Sequence, residues 1–198
     1  MTVTLDLTPE NEEGSSESER LMDEQAVRRD VFIAFEYSYK HDDWIYPLAD
    51  ALAGVTAAEA AWRPGPSVKG IWDIVLHMAV WTENIVERMR SGKDAHPAEG
   101  AWPPPPPDHP SGPGTHAVGD AAGGYPDEAA WEAAQRRLWD ALAALHASIE
   151  TNSLDALAGS PYGLGDLFCR FIHNAYHIGQ ITKMRELRAA EVNRMARA

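Results

Sequence analysis

Cysteine and long apolar segments are both scarce in this sequence. There is one cysteine, Cys169, among 198 residues, so a framework of intramolecular disulfides is excluded. The apolar runs fall far below the roughly 18 residues that a membrane-spanning helix needs. Residues 1–19 lack both the positively charged region and the apolar region of a secretory signal. We therefore expect a soluble, cytoplasmic protein with no membrane partner.

Basic side chains are also in deficit. The chain has 17 Lys and Arg against 30 Asp and Glu, a net charge of −13 at pH 7. That field repels a phosphate backbone, so nucleic acid is not an expected partner. Four arginines near the C-terminus are interpreted as a solvated helix end that complements the helix dipole: Arg185, Arg188, Arg194 and Arg197. The expected partner is a small-molecule substrate.

The chain does contain enough apolar surface for one domain, because 44% of its residues are hydrophobic and seven are tryptophan. Residues 1–22 are acidic and serine-rich and predict a disordered tail. The domain is expected over 23–190, followed by a C-terminal tail at 191–198. Within the domain, 91–125 includes five consecutive prolines and predicts an irregular loop, which is either a linker or a lid over a site.

Four segments show the 3.6-residue periodicity of amphipathic helices, and none alternates convincingly as a β-strand does. The predicted helices cover about 23–52 with a break near Pro47, a segment from a cap at Ser67 to Arg90, 126–150 with Pro126 as its first residue, and 164–190. A short turn of helix with Thr56 as its cap is expected after the first of them. The pattern predicts an all-α protein, a four-helix bundle.

The fourth predicted helix carries a polar stripe on an otherwise apolar surface. One face of it holds Asp166, Arg170, His173, His177, Gln180 and Met184. His173 and His177 are one turn apart, a spacing that lets two imidazoles bind one metal ion. The spacing alone is a weak signal, because two core histidines with other hydrogen-bond partners would show it as well.

A third ligand has to come from another helix. His77 lies between Ile74 and Trp81 at the edge of the apolar stripe of the second helix and is the best candidate. The alternative is a histidine at the margin of the core that is hydrogen-bonded to a neighbouring helix. His41 remains open. The other four histidines lie in the loop or in an alanine-rich stretch: His96, His109, His116 and His146.

Two blocks of the sequence resemble the DinB/YfiT-like superfamily. In the order of that family's pattern, they contain Arg63-Pro64, Ser67, Ile71-Trp72 and His77, and then His173, His177, Gly179, Gln180 and Ile181. The resemblance extends over about residues 24–190, although the loop and the N-terminal tail have no motif to match. It implies an up-down-down-up four-helix bundle and one divalent metal ion held by His77, His173 and His177.

Three neutral nitrogen ligands leave coordination positions open to water or substrate, which favours a catalytic site over a structural one. Imidazole suits zinc, nickel, iron(II) or copper and does not select among them. Cys169, one turn before His173, could be a fourth ligand. The simpler interpretation of Cys169 is a small buried hydrophobic residue.

Polar neighbours are expected to orient the three histidines. Asp73, Asp166 and Gln180 are predicted to hydrogen-bond an imidazole, and Arg170 is predicted to hold an anionic substrate. An exposed ion pair between Asp166 and Arg170 is the alternative. No carboxylate stands out as a general base, so no catalytic residue is assigned.

Three functions fit such a site. Relatives in the superfamily use low-molecular-weight thiols, which implies a thiol S-transferase whose metal lowers the pKa of the cofactor thiol. The alternatives are a metal-dependent hydrolase that uses a metal-bound water, and a non-catalytic, stress-related metal-binding protein. A homodimer is expected as well, with the first or third helix at its seam, because both are rich in aromatic residues.

Overall fold

The computed structural model describes residues 17–43, 45–65, 67–103, 127–152 and 163–197. Within these ranges the chain forms six α-helices and no β-strand, so the protein is all-α, as the sequence predicts. The helices are α1 (Glu17–Tyr37), α2 (Leu48–Leu52), α3 (Ala57–Ala61), α4 (Ile71–Ser91), α5 (Glu128–Thr151) and α6 (Leu164–Met195). None of these helices is long and apolar enough to cross a membrane.

Helix α4 packs against α3, α5 and α6, and most of its residues are buried. It begins at Ile71, where the Asp73 carboxylate accepts hydrogen bonds from the backbone nitrogen of Gly70 (2.9 Å) and from Arg63 (2.8 Å). The predicted cap at Ser67 is therefore wrong, since Ser67 is exposed and lies before the helix. A carboxylate in the first turn satisfies the free amide in place of a serine hydroxyl.

Helices α4 and α5 run parallel to each other. Trp72 in the first turn of α4 contacts Trp131 in the first turn of α5, with ring centroids 5.3 Å apart. Glu83 further along α4 pairs with Arg137 further along α5, at 2.7 Å. Both pairs match early residues with early residues and later residues with later ones, which fixes the common direction.

Helix α1 runs antiparallel to α5. Arg28 donates to the carbonyl of Ile149 near the end of α5 (3.2 Å). Phe32, one turn later in α1, contacts His146, almost one turn earlier in α5, with ring centroids 4.6 Å apart. Because residue numbers rise along α1 while they fall along α5, the two helices point in opposite directions.

Helix α6 runs antiparallel to α4. Arg88 in the last turn of α4 pairs with Asp166 in the first turn of α6, whereas His77 early in α4 meets His177 further along α6. Helix α6 also packs against α1. The four long helices thus enclose one apolar core, whose largest fully buried side chains include Phe35, Met78, Trp131, Leu138, Leu145, Leu167 and Ile178.

The first and last helices extend beyond the predicted domain bounds of 23 and 190. Helix α1 begins at Glu17, so residues 17–22 are helical rather than part of a disordered tail, while 1–16 lie outside the described residues. Helix α6 continues to Met195, so most of the predicted tail at 191–198 is helical too. Ion pairs between side chains three or four residues apart support both helices near these ends.

Two smaller features agree with the sequence prediction. The first predicted helix is broken, because α1 ends at Tyr37 and α2 begins at Leu48, directly after Pro47. The Thr56 side chain accepts a hydrogen bond from the backbone nitrogen of Glu59 (3.2 Å) and caps α3.

The predicted loop is described only in part. Residues 92–103 follow α4 without regular structure, while 104–126 lie outside the described residues, and the prediction for Pro126 lies there as well. Helix α5 begins next to Asp127, whose carboxylate accepts a hydrogen bond from the backbone nitrogen of Ala129 (2.9 Å).

Candidate metal centre

Three histidines from two helices meet inside the domain. His77 comes from α4, and His173 and His177 come from α6. The Nε2 atom of His173 lies 2.8 Å from Nε2 of His77 and 2.9 Å from Nε2 of His177. His77 and His177 are buried and His173 is half-buried. The long-range partner that the sequence predicts for the H-x-x-x-H pair is therefore next to it.

Hydrogen bonds to the outer nitrogens determine the tautomers of two of these rings. His77 Nδ1 donates to the backbone carbonyl of Ala101 (2.5 Å), and His177 Nδ1 donates to Oε1 of Gln180 (2.6 Å). Gln180 is itself oriented, because its Nε2 donates to the hydroxyl of Tyr176 (2.8 Å). A carbonyl oxygen can only accept, so both Nδ1 atoms carry the proton and both Nε2 atoms present a lone pair.

These two lone pairs point at the third imidazole. A neutral His173 with its proton on Nε2 could donate it to Nε2 of either His77 or His177. The lone pair of the other Nε2 atom would then face His173 without a proton between them. A cation among the three nitrogens removes this conflict, because all three Nε2 atoms can then act as donors of electron pairs to it. The donor set therefore fits a divalent transition metal ion.

The electrostatic state of the rings also suits metal binding. Burial lowers the pKa of His77 and lowers the pKa of His177 to about 4, and the positive charge of Arg170 contributes to both shifts. Both rings are consequently neutral near pH 7, and the neutral imidazole is the form that binds a metal ion.

The described residues supply no fourth protein ligand to the cluster. Among the described residues, the histidine, cysteine and carboxylate side chains close enough to share one ion are His77, His173 and His177 alone. Cys169 is exposed rather than a buried hydrophobic residue, so that prediction is wrong, and its thiol is not in the cluster. Three ligands leave the coordination sphere open, as in catalytic zinc sites.

The first part of the predicted loop covers one side of the cluster. Besides the carbonyl of Ala101, the ring of Trp102 stacks on His77 with centroids 3.8 Å apart and planes at 15°. The Asn84 side chain of α4 donates to the carbonyl of Ala95 (2.9 Å) and ties the segment to the helix. These residues shield the His77 ring from water and hold its orientation.

Ala101 and Trp102 are the site residues that the sequence analysis missed. A backbone carbonyl leaves no signal in a sequence, because any residue can supply it. The one available sign was a tryptophan directly before the run of prolines, since a large aromatic ring in an otherwise polar loop usually finds a surface to cover.

The residues predicted to orient the histidines differ in the groups that they contact. Gln180 contacts His177, as described above. Asp73 does not reach a histidine, because its carboxylate caps α4 and pairs with Arg63, so its predicted role is wrong. Asp166 forms an ion pair with Arg88 (3.2 Å) rather than with Arg170.

Comparisons of the chain with protein-family models, with curated proteins and with solved structures give no significant match.

Proposed function

We propose that this protein is a metal-dependent enzyme of the DinB/YfiT-like type that transfers a low-molecular-weight thiol to an electrophilic substrate. The observation that carries the proposal is the convergence of three Nε2 atoms, on His77, His173 and His177, with two of the rings held by acceptors on their outer nitrogens. The ion proposed is zinc, nickel or iron(II), three of the transition metals that imidazole binds.

The directions of the helices support the fold that this family implies. Helix α1 is antiparallel to α5, α4 and α5 are parallel, and α6 is antiparallel to α4. That order corresponds to an up-down-down-up four-helix bundle, in which the connection between the two parallel helices must return along the bundle. The long segment between α4 and α5 is compatible with such a return.

A divalent ion in such a site lowers the pKa of a coordinated thiol or water, so that the deprotonated form is available near neutral pH. The chain's own residues do the rest. Gln180 and the Ala101 carbonyl keep two Nε2 lone pairs aimed inward, and Trp102 limits access of water to His77. Open coordination positions leave room for a substrate atom.

Among the described residues, the lack of a carboxylate in the cluster favours thiol transfer over hydrolysis. A hydrolase that uses a metal-bound water commonly has an acidic side chain beside the metal to accept or deliver a proton. The described part of the chain places no Asp or Glu in the cluster. A thiol has a much lower pKa than water and needs no such partner once it is bound to a metal ion.

The metal site is tested by elemental analysis of protein purified without a histidine tag. We expect about one divalent ion per chain, and a loss of tenfold or more in each of His77→Ala, His173→Ala and His177→Ala, because each removes one of three ligands. His41→Ala is the matched control, since His41 pairs with Glu36 outside the cluster. Wild-type protein that binds no metal ion under any loading condition would overturn the proposal.

The reaction is tested with a panel of thiols and a chromogenic electrophile. A metal-dependent rate that requires an added thiol supports transfer. A metal-dependent rate on esters or amides without any thiol favours the hydrolase instead. If the metal is bound and neither assay shows turnover, the non-catalytic, stress-related alternative takes its place.

A homodimer remains part of the proposal. Helix α1, one of the two helices expected at the seam, exposes several large apolar side chains: Leu21, Met22, Val27, Ile33 and Tyr37. Light scattering on the purified protein tests this point, and a monomeric mass at high concentration would refute it.

A further inference from the structure

Buried polar atoms without a partner are concentrated on one stretch of α6. Among the described residues, Nε and Nη2 of Arg170, Nδ1 of His173, and both amide atoms of Asn174 are buried and have no hydrogen-bond partner. Nearly all buried polar groups in proteins are hydrogen-bonded, so such a concentration calls for a missing partner. The spacing of three and four residues places these side chains on the helix face that carries the two metal ligands.

Arg170 is the decisive member of this set. Its side chain is 6% exposed, and no carboxylate in the described part of the chain forms an ion pair with it. Burial lowers the pKa of Arg170 to about 9, so it still carries its charge at pH 7. Arg170 precedes His173 by three residues and His177 by seven on α6, so helical geometry places it on the same face as these two metal ligands.

The charges identified at this site are all positive. Three neutral imidazoles leave the charge of a divalent ion uncompensated. Arg170 adds one positive charge, and Lys69 adds another, with its Nζ 5.2 Å from the centre of the Trp102 ring that stacks on His77. A concentration of positive charge in a chain of net charge −13 selects anionic ligands.

A metal ion alone cannot satisfy Arg170, because the two repel each other. An isolated buried cation is costly unless an opposite charge accompanies it. A planar guanidinium with free Nε and Nη2 presents two parallel N–H groups, the arrangement that binds a carboxylate with both oxygens. The amide of Asn174 offers a further donor and acceptor on the same face.

We propose that Arg170 and Asn174 form an anion subsite beside the metal centre, and that the thiol used by this protein carries a carboxylate within reach of that subsite. The inference rests on the proposed function, since one molecule is expected to occupy the open metal positions and the subsite together. The substrate class is thus a small mercaptocarboxylate rather than a neutral thiol.

The test compares two small thiols on cobalt(II)-loaded protein. Both 3-mercaptopropionate and 2-mercaptoethanol offer a sulfur atom, and the charge-transfer absorbance of cobalt bound to sulfur reports each dissociation constant. We expect wild type to prefer the carboxylate by about tenfold or more, as one charge-assisted pair provides. Arg170→Gln should remove most of this ratio, and Arg170→Lys should keep part of it, because lysine retains the charge but not the planar fork.

Arg137→Gln is the matched control, because Arg137 lies on α5 and pairs with Glu83 and Glu99 instead. It should keep the wild-type ratio. Equal affinity of the wild-type protein for both thiols would overturn the subsite while leaving thiol transfer intact. Loss of the ratio in Arg137→Gln to the same extent as in Arg170→Gln would overturn it too.

Failure of the proposed function gives a different result. If the cobalt protein shows no charge-transfer band with either thiol, or if no metal binds, thiol use is refuted and propionate alone decides the subsite. Propionate that raises the melting temperature of wild type but not of Arg170→Gln supports the subsite. Equal shifts in the two proteins, or no shift in either, overturn it.

Discussion

Two arginines of this protein are equally buried and have opposite surroundings. Arg88, near the end of α4, is 7% exposed and pairs with Asp94 (3.0 Å) and Asp166 (3.2 Å). Arg170, on the face of α6 beside the three histidines, is 6% exposed and has no ion pair with any described residue. A paired buried arginine joins elements of the fold, whereas a buried arginine without an ion pair is available to bind an anionic ligand.

The largest effect is expected where the paired arginine is broken. Arg88→Met should destabilise the protein by about 3 kcal/mol, because it removes the buried cation that pairs with the mostly buried Asp166 of α6. Chemical denaturation measures the difference, with Arg137→Met as a control that should lose only about 0.5–1 kcal/mol, since the side chains of its partners Glu83 and Glu99 are 40% and 51% exposed. A change below that of the control would mean that Arg88 does not join α4 to α6.

Removal of the metal ion should have the next largest effect on stability. This effect should depend on the histidine cluster and not on the ion pairs of Arg88. At a free metal concentration 100 times the dissociation constant, binding stabilises the folded protein by about 2.7 kcal/mol. A chelator should therefore lower the melting temperature of wild type and leave His173→Ala unchanged. Equal sensitivity of the two proteins would place the metal somewhere other than the histidine cluster.

Arg170→Met should change stability in the direction opposite to Arg88→Met. Removing an unpaired buried charge and filling its space with an apolar side chain is expected to stabilise the ligand-free protein by about 1–2 kcal/mol. The same variant should lose the preference for thiols that carry a carboxylate. Destabilisation of similar size to that of Arg88→Met would show that Arg170 has a structural partner and would remove the contrast between the two arginines.

The smallest effect is expected at Gln180, which orients His177 through the ring nitrogen that does not face the metal position. Gln180→Met removes the acceptor for His177 Nδ1 and should weaken metal binding about tenfold, as the loss of such partners does elsewhere. Gln180→Glu keeps an acceptor oxygen and should retain most of the affinity. Metal titration monitored by calorimetry distinguishes the two variants, and identical affinities for both would show that the hydrogen bond has no role.

Local patterns account for what could be predicted. The H-x-x-x-H pair and the four long helices follow from the spacing of residues close together in sequence, because helical geometry places positions three and four apart on one face. The residue type of His77 and its place at the edge of an apolar stripe were enough to nominate it. The wrong prediction of a cap at Ser67 also arose from local sequence. Asp73, the third residue of α4, accepts a hydrogen bond from the backbone nitrogen of Gly70, which is the amide that a cap at Ser67 would have bound.

The contacts between distant segments could not be predicted in this way. The acceptor for His77 is the carbonyl of Ala101, 24 residues further along the chain. The partner of Arg88 in α6 is Asp166, 78 residues further along (166 minus 88). Cys169 is exposed because the helix that carries it turns that face outward, although Phe168 and Phe171 close to it in sequence are apolar. Such features depend on which helices meet and on the direction in which each runs.

By itself, then, the sequence determined that the chain is helical, that two imidazoles share one face of its last long helix, and that a third lies on another helix. Only the tertiary structure decided that the three Nε2 atoms meet and that a loop carbonyl and Gln180 hold the rings. It also decided that Arg170 is buried on the same helix face without a carboxylate from any described residue. The physical reason is that helix periodicity is encoded over a few residues, whereas the pairing of buried charges and lone pairs depends on the packing of segments that are far apart in the chain.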